Sequence, residues 1–147
     1  MFLADTSVWV DYFRGANSPE AGRLDAAFSG AEDVCLCGLV LTEILQGITE
    51  EARYRRVRQL LANLTYLAMS RETYLRAAEI FRAARKAGRP LRNSIGCLIA
   101  ACAVAHGVPV LTKDKDFQTI ANLTELELAR AWGRQRRRRP VSGSGSR

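Results

Sequence analysis

Four carboxylates in this chain are placed where they could bind a metal ion. Asp5 directly follows a short apolar segment, Asp114 and Asp116 follow a second one, and Glu43 lies within a third. Carboxylates gathered in one place repel one another unless a cation binds between them. The chain has one histidine and no C-x-x-C pair, so oxygen-bound Mg²⁺ or Mn²⁺ is favoured over zinc or copper. The residue types therefore indicate a divalent-cation site.

These acids can meet only if the segments that precede them lie side by side in one sheet. Short apolar segments alternate with longer segments of helical periodicity, which predicts a mainly parallel sheet covered by helices on both faces. We therefore predict the α/β class, as a three-layer α/β/α sandwich with about five strands. The predicted strands are 1–4, 33–37, 64–68, 108–111 and 123–128, and the predicted helices are 8–14, 19–29, 38–47, 50–63, 70–86, 117–121 and one within 93–107. Because ligands collect at the carboxyl ends of parallel strands, the four acids are expected to converge there.

The segment 93–107 is predicted to form a central, buried helix. Its apolar residues recur at helical spacing, and alanines keep the remaining sides small enough for close packing. Gly107 is placed where a left-handed residue would end the helix. Gly96 does not fit this pattern, because glycine costs about 1 kcal/mol relative to alanine within a helix and the first turn favours acidic side chains.

Length and charge indicate one folded domain with a basic tail. A chain of 147 residues is long enough for one domain with a continuous core. It contains no uncharged apolar run of about 18 residues and no signal-peptide pattern, so we predict a cytoplasmic protein without membrane contact. Residues 130–147 hold seven arginines and no acid, and they account for the net charge of +7, since residues 1–129 are formally neutral. We predict a folded domain at 1–129 and a disordered tail at 130–147, which either contacts RNA or a partner, or is simply solvated.

Four segments of the chain resemble the PIN-domain ribonucleases, and most closely the VapC-type toxins of bacterial toxin–antitoxin pairs. The segments are DTSVW at 5–9, TE at 42–43, SIGCLIAACAVA at 94–105 and TKDKDF at 112–117. The resemblance covers residues 1 to 128. It implies a Mg²⁺- or Mn²⁺-dependent endoribonuclease with an α/β/α sandwich, which forms a homodimer and is held inactive by a cognate VapB-type antitoxin.

The resemblance also assigns roles to individual residues. Asp5 matches the first metal-binding acid of the family and Glu43 the second. Asp114 and Asp116 fall in the motif that supplies the fourth acid, with Asp116, directly before phenylalanine, the firmer match. Two further positions match small hydroxyl residues that orient carboxylates or water, and these are Thr6 and Thr112.

The third acid of the family normally stands directly before the C-L-I-A segment, where this chain has Gly96. With one ligand missing, Mg²⁺ can still bind through one or two carboxylates with waters completing its coordination. We expect weaker binding, a misplaced metal and a rate lowered by roughly 10²- to 10⁴-fold. Two interpretations of Gly96 follow: an inactivated form of a toxic nuclease, which we favour, or a naturally degenerate member that binds RNA or an antitoxin.

An acidic pocket binds phosphates poorly, so RNA must be held by basic residues around it. The candidates are Arg14, Arg89, Arg92, Lys113 and Lys115, each of which could instead be an ordinary solvated charge. A phosphotransfer domain with Asp5 as nucleophile is a further alternative. It is disfavoured because Ser7 stands where that chemistry would place a second acid, and because the chain has no glycine-rich phosphate loop.

Overall fold

The computed structural model describes residues 1–131; most of the predicted basic tail, 132–147, lies outside the described residues. Within the described part the strands are β1 (Phe2–Ala4), β2 (Val34–Cys37), β3 (Thr65–Leu67) and β4 (Val110–Leu111). The helices are α1 (Thr6–Arg14), α2 (Pro19–Phe28), α3 (Gly38–Gln46), α4 (Glu51–Ala62), α5 (Arg71–Lys86), α6 (Ile95–His106) and α7 (Asp116–Leu123). No helix in this part of the chain is long and apolar enough to cross a membrane.

The sheet is parallel throughout, with the strand order β3-β2-β1-β4. Ala4 pairs with Leu111, and the amide of Asp5 donates to the Leu111 carbonyl oxygen at 3.0 Å. Asp5 and Thr112 are therefore the first residues beyond two adjacent strands, at the same edge of the sheet. Helices pack on both faces, so the predicted sandwich is confirmed.

The prediction of about five strands was wrong, because the segment 123–128 does not form a strand. Phe117 and Ile120 are buried on one side of α7, and the helix continues to Leu123. The chain then contacts the sheet only through an isolated parallel bridge between Val110 and Leu128. β4 is two residues long, so it offers too little backbone for a longer ladder.

Apolar burial explains the central position of the strands and of α6. Every residue of β1, β2 and β4 is buried, as expected for strands covered on both faces. Cys97 and the run 99–103 of α6 are buried as well, and Gly107 ends this helix in the left-handed conformation with a φ of 65°. The small residues of α6 allow it to lie close to α5 and α7. This packing fixes where the first turn of α6, and hence Gly96, meets the carboxyl edge of the sheet.

Candidate active site

A cleft of about 430 Å³ opens at the carboxyl edge of the sheet. Three of the four predicted acids line it: Asp5 beyond β1, Glu43 on α3 and Asp114 beyond β4. Gly96, in the first turn of α6, lines the same cleft. The structure thus brings together residues that are far apart in sequence, and it does so where the topology of the sheet predicts.

Asp5 is the most deeply placed of these carboxylates, with 4% of its surface exposed. Ser7 Oγ donates to Asp5 Oδ1 at 2.6 Å, and Thr112 Oγ1 donates to Oδ2 at 2.7 Å. Burial raises the pKa of Asp5, and the negative charge of Asp114 adds to this, although both hydroxyl bonds lower the pKa. Burial therefore destabilises the ionised form of Asp5, and a nearby cation would stabilise it.

The two hydroxyls that hold Asp5 also organise the loop that follows β4. The amide of Lys113 donates to Ser7 Oγ at 3.1 Å, and the amide of Asp114 donates to Thr112 Oγ1 at 2.9 Å. Thr112 thus bonds both to Asp5 and to the backbone of this loop. Sequence reasoning missed this role of Ser7, which was considered as the residue that stands where a phosphotransfer domain would place a second acid. Asp5 is the N-cap residue of α1, and the Ser7 hydroxyl donates back to it. The two-residue spacing from Asp5 was the available signal.

Removing the Ser7 hydroxyl should destabilise the fold. Ser7→Ala removes a hydrogen bond to a charged group and leaves the Lys113 amide without its acceptor, at an expected cost of about 1–3 kcal/mol in the free energy of unfolding. Urea denaturation at pH 7 in EDTA measures this. Ser94→Ala is the matched control, because Ser94 is exposed and makes no side-chain cap bond. Equal effects of the two substitutions would contradict the role given to Ser7.

Glu43 and Thr6 leave buried polar atoms facing this region without partners. Glu43 Oε1 and Thr6 Oγ1 are both buried, and neither has a hydrogen-bond partner among the described residues. Both residues line the cleft. A buried polar atom without a partner costs free energy, so each such atom is a point where a bound cation or its water would be stabilising.

Asp114 and Asp116 occupy different places, although only one residue separates them. Asp114 lines the cleft, whereas Asp116 lines an adjoining depression. Arg92 Nη2 lies 2.8 Å from Asp114 Oδ2, and Arg92 Nε lies 3.4 Å from Asp116 Oδ2. Asp114 also lines this depression, so it borders both concavities, whereas Asp116 borders only the depression.

Nothing in the packing around position 96 requires glycine. A Cβ atom built there would lie 3.8 Å from the Phe117 ring and 3.9 Å from Ile120 Cδ1, which are ordinary van der Waals distances. The residue is helical, so its backbone does not call for glycine either. A side chain at this position would fit at the wall of the cleft, beside the carboxylates.

The donor chemistry suits a hard divalent cation, but the carboxylates present do not form a complete site. Asp5, Glu43 and Asp114 offer the oxygen ligands that Mg²⁺ and Mn²⁺ prefer, and Glu43 Oε1 is free of other bonds within the described chain. However, no three histidine, cysteine or acidic side chains in residues 1–131 are grouped closely enough to hold a metal ion. The residues thus fit such a cation in their chemistry, although they are not grouped closely enough to enclose it.

The basic residues predicted to bind RNA are dispersed. Lys113 lines the cleft but its ammonium pairs with Asp11, and Arg92 pairs with the two aspartates of the loop. Lys115 lines the adjoining depression. Arg14, in the last turn of α1, and Arg89, after α5, are exposed and line neither concavity.

Comparisons with known proteins agree with the fold and with the resemblance. The family model of the PIN domain matches residues 2–123. Ribonuclease VapC11 from Mycobacterium tuberculosis is 37% identical over 131 residues, which cover 88% of this chain and 98% of that protein. Ribonuclease VapC18 from the same organism is 29% identical over 127 residues, covering 84% and 90% respectively. Among solved structures, VapBC2 from Rickettsia felis bound to a promoter DNA fragment matches in fold, with a TM-score of 0.68, 17% identity and coverage of 87% of this chain and 96% of that one.

Proposed function

The chain belongs to the PIN-domain family and, within it, to the VapC ribonucleases, and we propose that it is the toxin of a toxin–antitoxin pair that hydrolyses RNA phosphodiester bonds with Mg²⁺ or Mn²⁺. The observation that carries this proposal is the convergence of Asp5, Glu43 and Asp114 on one cleft at the carboxyl edge of the sheet. Carboxylate oxygens at this edge suit a divalent cation in their chemistry and are unsuited to hold a phosphate directly.

A bound divalent cation would supply a water of lowered pKa and neutralise charge on the phosphate. The chain's own contribution is to hold carboxylates in place before the substrate arrives. Asp5 is fixed through both oxygens by Ser7 and Thr112, and Glu43 presents a buried, unpartnered oxygen. These two residues would form the fixed part of the cation site, and Asp114 would complete it from the loop after β4.

We further propose that Gly96 weakens this site. The other predicted acids are present, and a Cβ atom at position 96 would make only ordinary van der Waals contacts with Phe117 and Ile120. This combination favours a nuclease from which one carboxylate has been removed over a fold that has adapted to glycine. The expected defect lies in cation affinity and in rate, while the fold is intact.

RNA cleavage in Mn²⁺, Mg²⁺ or EDTA tests the proposed activity, using defined single-stranded RNAs and the Gly96→Asp variant beside the parent chain. Cleavage that needs the cation supports the proposal. Metal-independent cleavage, or no cleavage of any RNA by the variant, would contradict it.

The two aspartates of the loop are expected to behave differently. In the Gly96→Asp background, Asp114→Asn should lower the cleavage rate by about 10²-fold or more, since it removes a carboxylate from the cleft. Asp116→Asn should lower the cleavage rate by less than about 10-fold, because Asp116 lies in the adjoining depression. Its effect on the cleft would be indirect, through its contact with Arg92. Single-turnover cleavage rates measure both. The reverse order would restore Asp116 as the acid that acts in the cleft.

A second candidate function is a non-catalytic module that binds RNA or an antitoxin. It is favoured by one observation, that no three acidic side chains among the described residues are grouped to hold a metal. Normal partner affinity in the Gly96 chain, with no gain of cleavage in Gly96→Asp, would support it. Deleting 130–147 would then show whether the basic tail sets the salt dependence of binding.

The partner that we propose is a VapB-type antitoxin, with a homodimer of this chain as the toxin unit in the cytoplasm. The support comes from the fold, which matches a VapBC complex, and from the VapC ribonucleases that the chain resembles in sequence. Co-expression with the small protein encoded next to the gene, followed by size-exclusion chromatography with light scattering, tests both the partner and the dimer.

A further inference from the structure

Arg92 contacts both aspartates that follow β4, Asp114 and Asp116, and RNA binding alone would not require these contacts. Its backbone amide donates to Asp116 Oδ2 at 3.3 Å, and its Nε reaches the same oxygen at 3.4 Å. Its Nη2 pairs with Asp114 Oδ2 at 2.8 Å. One residue on the segment that enters α6 thus holds both aspartates that follow β4, although 72% of its side chain is exposed.

We propose that Arg92 is a positioning residue: from the adjoining depression it fixes the orientation of the Asp114 carboxylate, which borders both that depression and the cleft, so that Asp114 can hold a cation together with Asp5 and Glu43. This inference rests on the proposed function of the cleft. It assigns Arg92 to the cation site, and so separates it from the other basic residues that were candidates for RNA contact.

The hydrogen bonds around Asp114 carry the argument. Asp114 Oδ1 accepts the Asp116 amide at 3.0 Å, and Oδ2 accepts Arg92. With one bond on each oxygen, the plane of the carboxylate is fixed, yet each oxygen retains a lone pair for a cation. Partners of this kind orient metal-binding carboxylates and set their affinity. The Asp5 and Asp114 carboxylates repel each other, and the bonds from Arg92 and the Asp116 amide hold Asp114 in place against that repulsion.

Arg89 shows the contrast with an ordinary surface arginine. It lies three residues earlier in the same segment, is exposed, and has no acidic partner among the described residues. An arginine available to bind RNA would be exposed and unpaired with an acid, as Arg89 is among the described residues. The Arg92 guanidinium is already bound to two carboxylates of its own chain, and their charges raise its pKa further.

The test compares Arg92→Met, Arg92→Lys and the matched control Arg89→Met in the parent chain. Three quantities are measured: the Mn²⁺ dissociation constant by electron paramagnetic resonance, the hydrogen exchange of the Asp116 amide by NMR without metal, and RNA affinity in EDTA. Arg92→Met should weaken Mn²⁺ binding by about 10-fold and speed exchange of this amide, at an unchanged melting temperature. Arg92→Lys should lie between the parent and Arg92→Met, because one ammonium cannot bridge both acids.

Three results would overturn the proposal. Unchanged exchange and Mn²⁺ affinity would leave Arg92 without a positioning role, and tighter Mn²⁺ binding in Arg92→Met would make it a competitor of the cation. A large loss of RNA affinity in Arg92→Met relative to the parent chain, with normal amide exchange, would make it an RNA contact. If the parent chain binds no Mn²⁺, the metal part of the proposed function fails in this form, and the amide exchange still decides the role of Arg92.

Discussion

Gly96→Asp is expected to raise Mn²⁺-dependent RNA cleavage by roughly 10²- to 10⁴-fold. The new carboxylate would join Asp5, Glu43 and Asp114 at the same cleft, and its Cβ meets only ordinary contacts with Phe117 and Ile120. Its position in the first turn of α6 is also favourable for a negative charge. Mn²⁺ affinity should increase together with the rate, and both are measured on the purified chain and on the variant.

Two control variants separate the charge from the shape of the new side chain. Gly96→Asn has nearly the same shape without the charge, so it should leave cleavage at the level of the parent chain. Gly96→Ala should raise the free energy of unfolding by about 1 kcal/mol through helix propensity alone. Gly96→Asp should gain less stability than Gly96→Ala in EDTA, because the added carboxylate faces others in the cleft. Cleavage by Gly96→Asn as fast as that by Gly96→Asp would show that charge at position 96 is not what the site lacks.

Asp5→Asn has the second large expected effect, since it should abolish the cleavage gained in Gly96→Asp and at the same time stabilise the fold. Asp5 is the most buried of the acids and is held through both oxygens, so its loss removes the fixed part of the cation site. Loss of a first ligand is expected to cost about 10²-fold or more in rate. Single-turnover rates in saturating Mn²⁺ measure this loss.

The stabilising half of this prediction depends on pH. Burial raises the pKa of Asp5 above its value in the unfolded chain. The stability that protonated Asp5 contributes is fully present below the unfolded pKa and is lost as the pH rises through the folded pKa. Once Asp5 ionises, its buried carboxylate therefore lowers the stability of the fold, and an asparagine at this position avoids that loss.

Urea unfolding in EDTA from pH 4 to pH 8 tests whether ionisation of Asp5 lowers the free energy of unfolding. The parent chain should lose stability with rising pH over the range in which Asp5 ionises, and Asp5→Asn should show a smaller loss. Asp33→Asn, at an exposed position just before β2, is the control and should change stability by less than about 0.5 kcal/mol. If Asp5→Asn is less stable than the parent at pH 7, then the bonds from Ser7 and Thr112 outweigh the cost of burial.

Much of the fold follows from local sequence pattern, because the strands are short apolar runs that must be buried on both faces. The place of Asp5 beside Thr112 also follows, since a parallel sheet brings the carboxyl ends of its strands to one edge. What could not be predicted depends on contacts between distant segments. Asp114 borders the cleft and Asp116 does not, Arg92, some twenty residues earlier, pairs with both, and α7 begins at Asp116.

Ser7 and the last predicted strand illustrate the same limit. A serine two residues after an aspartate can cap a helix or bond to the aspartate, and only the approach of the Lys113 amide decides between them. The segment 123–128 has the apolar residues of a strand, but its partner β4 is too short to pair with it along its length. The strand propensity of a segment does not indicate how long its partner strand is.

The bridge between Val110 and Leu128 also bears on how the protein can be handled. The PIN family match ends at residue 123, yet the Val110 amide donates to the Glu127 carbonyl oxygen and the Ala129 amide to the Val110 carbonyl oxygen. These bonds cover the open side of β4, which is one of the two edge strands of the sheet. A fragment cut at the family boundary would expose that backbone and the buried side chain of Leu126 to other molecules, which invites aggregation. Expression of the domain should therefore extend through Arg130, whose carbonyl oxygen still accepts a hydrogen bond from Arg23.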